Sequence, residues 1–247
     1  MSTLPQDHIL LKLSSIARAA GDIIMTYYKA PADAVLEKED GSPVTKADRE
    51  AERYIIGELE RIFPGIPCIG EESACSNDRP SQLERYWCID PLDGTREFIS
   101  ERPEFTVNIA LVENGYPILG VIFAPALDVM YMGSLREGSF RSDKQGDLMK
   151  LPIYLEEKPF TVVISRAHPT AGAEAEFLEM LREKREEVDV KLLGSSLKFC
   201  MVADGSADIY FRAGRTMFLD SAAGHIIAKA AGSRVIKWES RGELVYN

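Results

Sequence analysis

The chain has 247 residues, 45% hydrophobic and 28% charged, with a formal net charge of -10, enough to bury a substantial core as one domain or as two packed halves. The acidic balance argues against a nucleic-acid partner, which needs a concentrated basic face. No apolar run approaches the roughly 20 residues that cross a bilayer, and the opening "MSTLPQDHILLKL" lacks the pattern of a cleavable signal. The chain is therefore read as cytoplasmic, with peripheral attachment to the inner face of the cell membrane left open. Cys68, Cys75, Cys88 and Cys200 form no C-x-x-C pair and sit mostly in apolar stretches, so buried free thiols are expected. With only three histidines, any metal has to be a hard cation held by carboxylates.

Apolar residues at Ile9, Leu13, Ile16, Ala20, Ile23, Ile24 and Tyr27 recur at helical spacing, and Pro31 closes that segment. A second helix is expected over 46–63, with Ala47, Ala51, Tyr54, Ile55, Leu59 and Ile62 inward, Pro64-Gly65 as its stop, and Thr45 with Asp48 as a capping box. Strand-like runs follow at "IPCIG", "YWCI", "FTVNIALV", "PILGVIFAP" and "VMYM", and Asn114-Gly115 is a hairpin signal. The first half thus reads as two helices on a largely antiparallel sheet. The polar stretch 136–159 places a boundary near residue 155, giving halves 1–155 and 156–247 packed as one unit. Beyond it, strand-like "FTVVIS", "VDVKLL", "ADIYF" and "SRVIKW" alternate with helix-like "AEAEFLEMLREKREE", "SLKFCMVADG" and "DSAAGHIIAKAAG", the texture of an α/β layer with parallel strands.

The acidic features are "GEES", "IDPLDGT" and "FLDSAAGH". Each alone has an ordinary explanation as turn, solvated pair or helix cap. In "IDPLDGT" the parts constrain one another: apolar "YWCI" delivers Asp90 at a strand end, Pro91 fixes φ, and Gly94 admits a conformation other residues resist. Asp93 and Thr95 then open a segment whose amides could face an anion. Carboxylates forced together repel unless a cation lies between them. An all-carboxylate set favours Mg²⁺, and two such ions roughly 4 Å apart serve in-line displacement at phosphorus. Phosphate-ester hydrolysis is the chemistry implied.

"GEE", "DPLDGTREF" and "DSAAGH", in that order, resemble the inositol monophosphatase superfamily of Mg²⁺-dependent, lithium-sensitive phosphatases. "SPVTKAD", "VVISRAH" and "GSSLKFCMVADG" bring the chain nearest to that superfamily's 3'(2'),5'-bisphosphate nucleotidases. The resemblance implies an αβαβα sandwich, with an antiparallel N-terminal sheet and a mixed or parallel C-terminal one. It also implies hydrolysis of the 3'-phosphate of adenosine 3',5'-bisphosphate to AMP and phosphate, with 3'-phosphoadenylyl sulfate as a second substrate and Li⁺ as an inhibitor. By motif, Glu71, Asp90 and the carbonyl of Leu92 would hold one Mg²⁺, and Asp90, Asp93 and Asp220 a second, with a weaker third ion near Glu71. Thr95 and Asp48 would orient and deprotonate the attacking water. Glu71, Leu92, Asp93, Gly94, Thr95 and Asp220 would border the scissile phosphate, while His168, Ser195, Lys198 and Arg212 would contact the rest of the nucleotide.

Two residues depart from the family pattern: Leu219, where relatives usually carry Trp, and Phe211, where they often carry Pro. His225, five residues after Asp220, is read as structural or as a support behind the metal ligands. The rival functions are an inositol monophosphatase or sugar bisphosphatase using the same metals and, more remotely, a non-catalytic acidic metal-binding module.

Overall fold

The computed structural model describes residues 8–29, 35–37, 43–72, 82–144, 146–153, 158–166, 172–214 and 216–246, with only the backbone at 35–37 and 43–45. His168, Cys75 and the side chain of Thr45 lie outside the described residues.

Helix α1 (Ile9–Tyr27) starts at His8, whose Nδ1 accepts from the Leu10 amide at 3.2 Å, and stops where Tyr28 turns extended. Its buried stripe is Leu10, Leu13, Ile16, Ala17, Ala20, Gly21 and Ile24, so Ile9, Ile23 and Tyr27, expected inward, are only half-buried. Strands β1 (Val35–Glu37) and β2 (Pro43–Thr45) form an antiparallel pair ahead of α2 (Lys46–Ile62). The inward face of α2 carries Ala47, Ala51, Ile55 and Leu59, as the spacing predicts, but also Asp48 and Glu52. Tyr54 and Ile62 are half-buried.

A seven-stranded sheet follows in chain order, made of β3 (Cys68–Gly70), β4 (Arg85–Asp93), β5 (Thr106–Glu113), β6 (Tyr116–Ala124), β7 (Val129–Ser134), β8 (Gly138–Ser142) and β9 (Leu148–Lys150), with the short helix α3 (Thr95–Ile99) between β4 and β5. Only β3 and β4 run parallel; every other pair is antiparallel. Successive side chains leave a strand on opposite faces, and both faces here are apolar. Trp87, Ile89, Val107, Ile109, Val121 and Phe123 join the core with α1 and α2, while Tyr86, Cys88, Ala110, Val112, Ile122 and Tyr131 join a second core on the other face. Asn114 and Gly115 have φ of 50° and 78°, the left-handed pair that a tight hairpin needs between β5 and β6.

Strands β8 and β9 occupy the stretch that reads as a polar connector. Ser139 is fully buried there because its hydroxyl donates to the Ile227 carbonyl at 2.6 Å, so a polar residue fits an interior strand.

The rest of the chain forms β10 (Thr161–Ser165), α4 (Ala173–Arg182), β11 (Asp189–Leu193), α5 (Leu197–Asp204), β12 (Ile209–Tyr210) and α6 (Phe218–Ala230). The three strands make a parallel sheet in the order β11-β10-β12. Helices α5 and α6 lie between the two sheets, and α4 covers the outer face of the smaller one through Phe177, Leu178 and Leu181. The layers are therefore αβαβα. In "AAGH" the small residues serve packing, since a Cβ on Gly224 would lie 2.4 Å from the Phe199 ring of α5.

Two local expectations are corrected. Helix α4 ends at Arg182, not near 187, because Leu181 is its last buried residue and Glu183 to Glu187 are all exposed. "SRVIKW" is not a strand; Ile236 makes one isolated bridge to Glu243. Trp238 instead packs edge-on against Phe177 and Phe211, whose rings stack at 4.1 Å. Phe211 thereby fills space in this core, and Leu219 is 2% exposed in the core between the sheets.

Candidate active site

Residues three apart on an unbroken strand point to opposite faces. Strand β4 does not end at Asp90, as the sequence suggests, but runs on through Asp93 with a slipped register: Asp90 faces Asn108 and Asp93 faces Thr106. Three steps on β4 thus match two on β5, a bulge that turns both carboxylates to one side. Asp90 is 1% exposed and accepts from the Leu92 amide at 3.1 Å. Gly94 follows with φ 93°, and a Cβ there would come within 3.0 Å of the Glu104 carbonyl and 3.3 Å of Ser195. Thr95 opens α3 and donates its hydroxyl to the Leu92 carbonyl at 3.1 Å.

Glu71 arrives from the neighbouring strand. Because Gly70 pairs with Ile89 in parallel register, the residue after Gly70 comes alongside Asp90. The Glu71 carboxyl lies close enough to Asp90 for its charge to raise the Asp90 carboxyl. The turn is tied to α2 through Glu52, whose carboxylate accepts from the Glu72 amide at 2.8 Å. Asp48, one helical turn before Glu52, is buried on the same face of α2.

The third wall comes from the second half. Asp220 lies in the first turn of α6. Ser195 has φ 49°, and its carbonyl accepts from the ammonium of Lys198. Lys198 is itself 4% exposed, 5.5 Å from the Tyr210 ring centroid. Arg212 is half-buried just beyond β12. Ser196 Oγ stands 2.5 Å from Asp93 Oδ2 and 2.7 Å from the Asp220 carbonyl, joining the two halves.

The electrostatics are those of crowded acids. Burial pushes the Asp90 carboxyl well above the usual carboxylate range, and the charges of Glu71, Asp93 and Asp220 push the same way. Asp220 is pushed up to about 7, first by burial and then by Asp93 and Glu71, with Arg212 opposing. Lys198 is lowered by burial, while Asp93, Glu97 and Asp220 hold it up. Among the described residues no three His, Cys, Asp or Glu side chains already close around a metal position. The donor set nevertheless fits a hard divalent cation: the carboxylates of Glu71, Asp90, Asp93 and Asp220, with the Leu92 carbonyl beside them, are all oxygen, and their mutual repulsion is what such an ion relieves.

Of the residues expected at the site, Glu71, Asp90, Asp93 and Asp220 come within electrostatic reach of one another, with Lys198 and Arg212 beside them. Leu92, Gly94 and Thr95 form the adjoining turn and Ser195 abuts Gly94. Sequence reasoning missed Glu52, Asn108, Ser196 and the pair Glu104 and Arg166. Glu52 alone left a signal, as a charge on the apolar stripe of α2.

Residues 6–247 match the Inositol monophosphatase family. The chain is 44% identical over 235 residues to the Shigella flexneri 3'(2'),5'-bisphosphate nucleotidase CysQ, covering 94% of this chain and 92% of that one. Among solved structures it superposes on CysQ from Bacteroides thetaiotaomicron with a TM-score of 0.83 at 33% identity, covering 96% of this chain and 91% of that chain. The Thermotoga maritima IMPase gives 0.73 at 28% identity, covering 94% and 87%.

Proposed function

We propose that this chain, which belongs to the inositol monophosphatase family, removes the 3'-phosphate of adenosine 3',5'-bisphosphate, giving AMP and phosphate, and acts likewise on 3'-phosphoadenylyl sulfate. The observation that carries this reading is the placement of the "GSSLK" segment against the acidic cluster, with Ser196 Oγ 2.5 Å from Asp93. A site for a second phosphate and a nucleoside on that segment would lie directly beside the hydrolytic centre. The Shigella flexneri bisphosphate nucleotidase, 44% identical over 94% of this chain, supports the same substrate class.

Glu71, Asp90, the Leu92 carbonyl, Asp93 and Asp220 would hold Mg²⁺, which supplies neutralisation of phosphate charge and an acidified water. The protein's own part is positional. With its proton committed to the Leu92 carbonyl, the Thr95 oxygen keeps lone pairs that accept a hydrogen bond from the attacking water. Asp48 takes the water's proton as the new P–O bond forms and the bond to O3' breaks, and the departing O3' takes a proton from a solvent water to give the hydroxyl of AMP. The amides of Gly94 and Thr95 face the phosphate, and Lys198 and Arg212 offer charge to the phosphate that does not react. The wild-type protein is to be assayed for phosphate release from adenosine 3',5'-bisphosphate, inositol monophosphate and fructose bisphosphate, with Mg²⁺ and with added Li⁺. Preference for the adenosine bisphosphate, with inhibition by Li⁺, is the expected result. Preference for inositol monophosphate or the sugar would redirect the assignment within the family, and no release from any substrate would sink it.

A further inference from the structure

Three distant segments meet at one buried hydroxyl. Ser196, at the head of α5, lies 2.5 Å from Asp93 Oδ2 on β4 and 2.7 Å from the Asp220 carbonyl on α6, and accepts from Asn108 Nδ2 of β5 at 3.0 Å. Asn108 Nδ2 also reaches Asp93 Oδ2 at 3.4 Å. Ser196 is 2% exposed and Asn108 1%. A serine hydroxyl carries one proton. The carboxylate and the α6 carbonyl therefore compete for it, while the Asn108 amide fills the hydroxyl's acceptor side.

The arrangement is a poor one for stability alone. Facing its NH₂ toward Asp93 and Ser196 leaves Asn108 Oδ1 buried without a hydrogen-bond partner, a burden that an apolar residue on β5 would not carry. Such a burden is typical of residues kept for a site. The bulge gives Asp93 its side of the sheet, but a carboxylate still rotates about its own bonds until something fixes it.

We infer that Ser196 and Asn108 are positioning residues. They fix the rotation of the Asp93 carboxylate and tie it to the first turn of α6, so that Asp93 and Asp220 present oxygens to the same divalent cation. The inference rests on the Mg²⁺-dependent reading above. Hydrogen-bond partners of metal ligands commonly govern metal affinity by about 10- to 100-fold.

The test is Mn²⁺ binding to the substrate-free protein, followed by the electron paramagnetic resonance signal of free Mn²⁺, with thermal midpoints measured alongside. Ser196→Ala removes a single oxygen and is expected to weaken Mn²⁺ binding about 10- to 100-fold, with the thermal midpoint nearly unchanged. Asn108→Ala is expected to act in the same direction, which keeps the inference testable should the serine variant fold poorly. The double variant should lose less than the product of the two single losses, because the residues serve one network. Wild-type affinity in the Ser196 variant, or strictly multiplicative losses, would overturn the inference. Wild-type protein that binds no Mn²⁺ would overturn it together with the metal-dependent reading, whereas tight wild-type binding with an unaffected variant removes the inference alone.

Discussion

Arg166 grips Glu104 through two parallel hydrogen bonds, Nε to Oε2 at 3.0 Å and Nη2 to Oε1 at 2.6 Å. The same carboxylate accepts from the Gly194 amide at 3.1 Å, and the same guanidinium donates to the Leu192 carbonyl at 2.8 Å. The clamp ties the loop after α3 to the ends of β10 and β11, next to the contact between Gly94 and Ser195. Bidentate pairs of this kind, partly shielded from water, are among the stronger polar contacts. Arg166→Ala should cost about 2 kcal/mol, lowering Tm by roughly 4–8 °C for a chain of this size. It should also raise KM more than it lowers kcat, because the loop bearing Ser195 loses its anchor. Arg166→Lys keeps the charge without the fork and should fall between. Unchanged Tm and KM in the alanine variant would rule the clamp out.

Glu52 and Gly70 make a second prediction. A Cβ on Gly70 would sit 2.4 Å from the Glu52 carboxylate, so Gly70→Ala must displace the side chain that accepts from the Glu72 amide. Gly70→Ala and Glu52→Ala should therefore look alike: both disturb the turn carrying Glu71 and raise the Mg²⁺ concentration needed for half-maximal rate, by about 10-fold. Glu52→Gln retains an acceptor for the amide and should lose less. A Glu52→Ala enzyme with the wild-type Mg²⁺ requirement would show that Glu71 is held by other means.

What the sequence could reveal follows from how far apart the partners lie. The apolar runs of β4, β5 and β6 and the Asn114-Gly115 turn are local patterns, and they become the strands and hairpin expected. "IDPLDGT" is legible for the same reason, although its geometry differs: a bulge, and not a strand end, aligns Asp90 with Asp93. Ser196 meets Asp93 across 103 residues, Asn108 across 88, and Arg166 meets Glu104 across 62. No periodicity encodes such pairings. Strand β8 was illegible because the partner of Ser139 is a helix carbonyl 88 residues away, and "SRVIKW" misled because its apolar residues pack against existing cores, Val235 between the sheets and Trp238 on Phe177 and Phe211, and do not extend a sheet edge.

Asp48→Asn is nearly isosteric and removes the charge of the carboxylate together with its capacity to take a proton. If Asp48 is the base that activates water, kcat should fall at least about 100-fold, while Tm moves by no more than a few degrees. Steady-state rates and a melting curve on the same preparation decide it. Near-normal turnover would return Asp48 to helix capping alone.

Arg212→Ala and Lys198→Ala should raise KM for the adenosine bisphosphate about 10-fold or more, the consequence of losing roughly 1.4 kcal/mol of charge recognition. KM for a monophosphate should change little. Lys198 also braces the Ser195 carbonyl, so the half-exposed Arg212 gives the cleaner measurement. Equal effects on both substrates would show that neither cation reads the second phosphate.

His225 makes stability depend on pH in a direction that can be worked out. It is fully buried, with Nδ1 3.2 Å from the Tyr246 hydroxyl and Nε2 3.3 Å from Glu243 Oε1. Burial pushes it down to about 4, against the pull of Glu243. Between that value and the unfolded value near 6.5, the unfolded chain binds a proton that the folded protein refuses. The contribution is therefore complete above about pH 6.5 and is lost as pH falls toward 4, to a total of order 3 kcal/mol. Asp90 and Asp220, whose raised carboxyls bind protons more readily when folded, tilt the wild-type curve the other way over part of this range. The informative quantity is accordingly the difference in Tm between wild type and His225→Gln, followed from pH 7.5 to 4.5. That difference should shift against the wild type as pH falls, because only the wild type carries the buried imidazole. A pH-independent difference would mean that the imidazole does not titrate differently on folding, and that its contact with Tyr246 is packing alone.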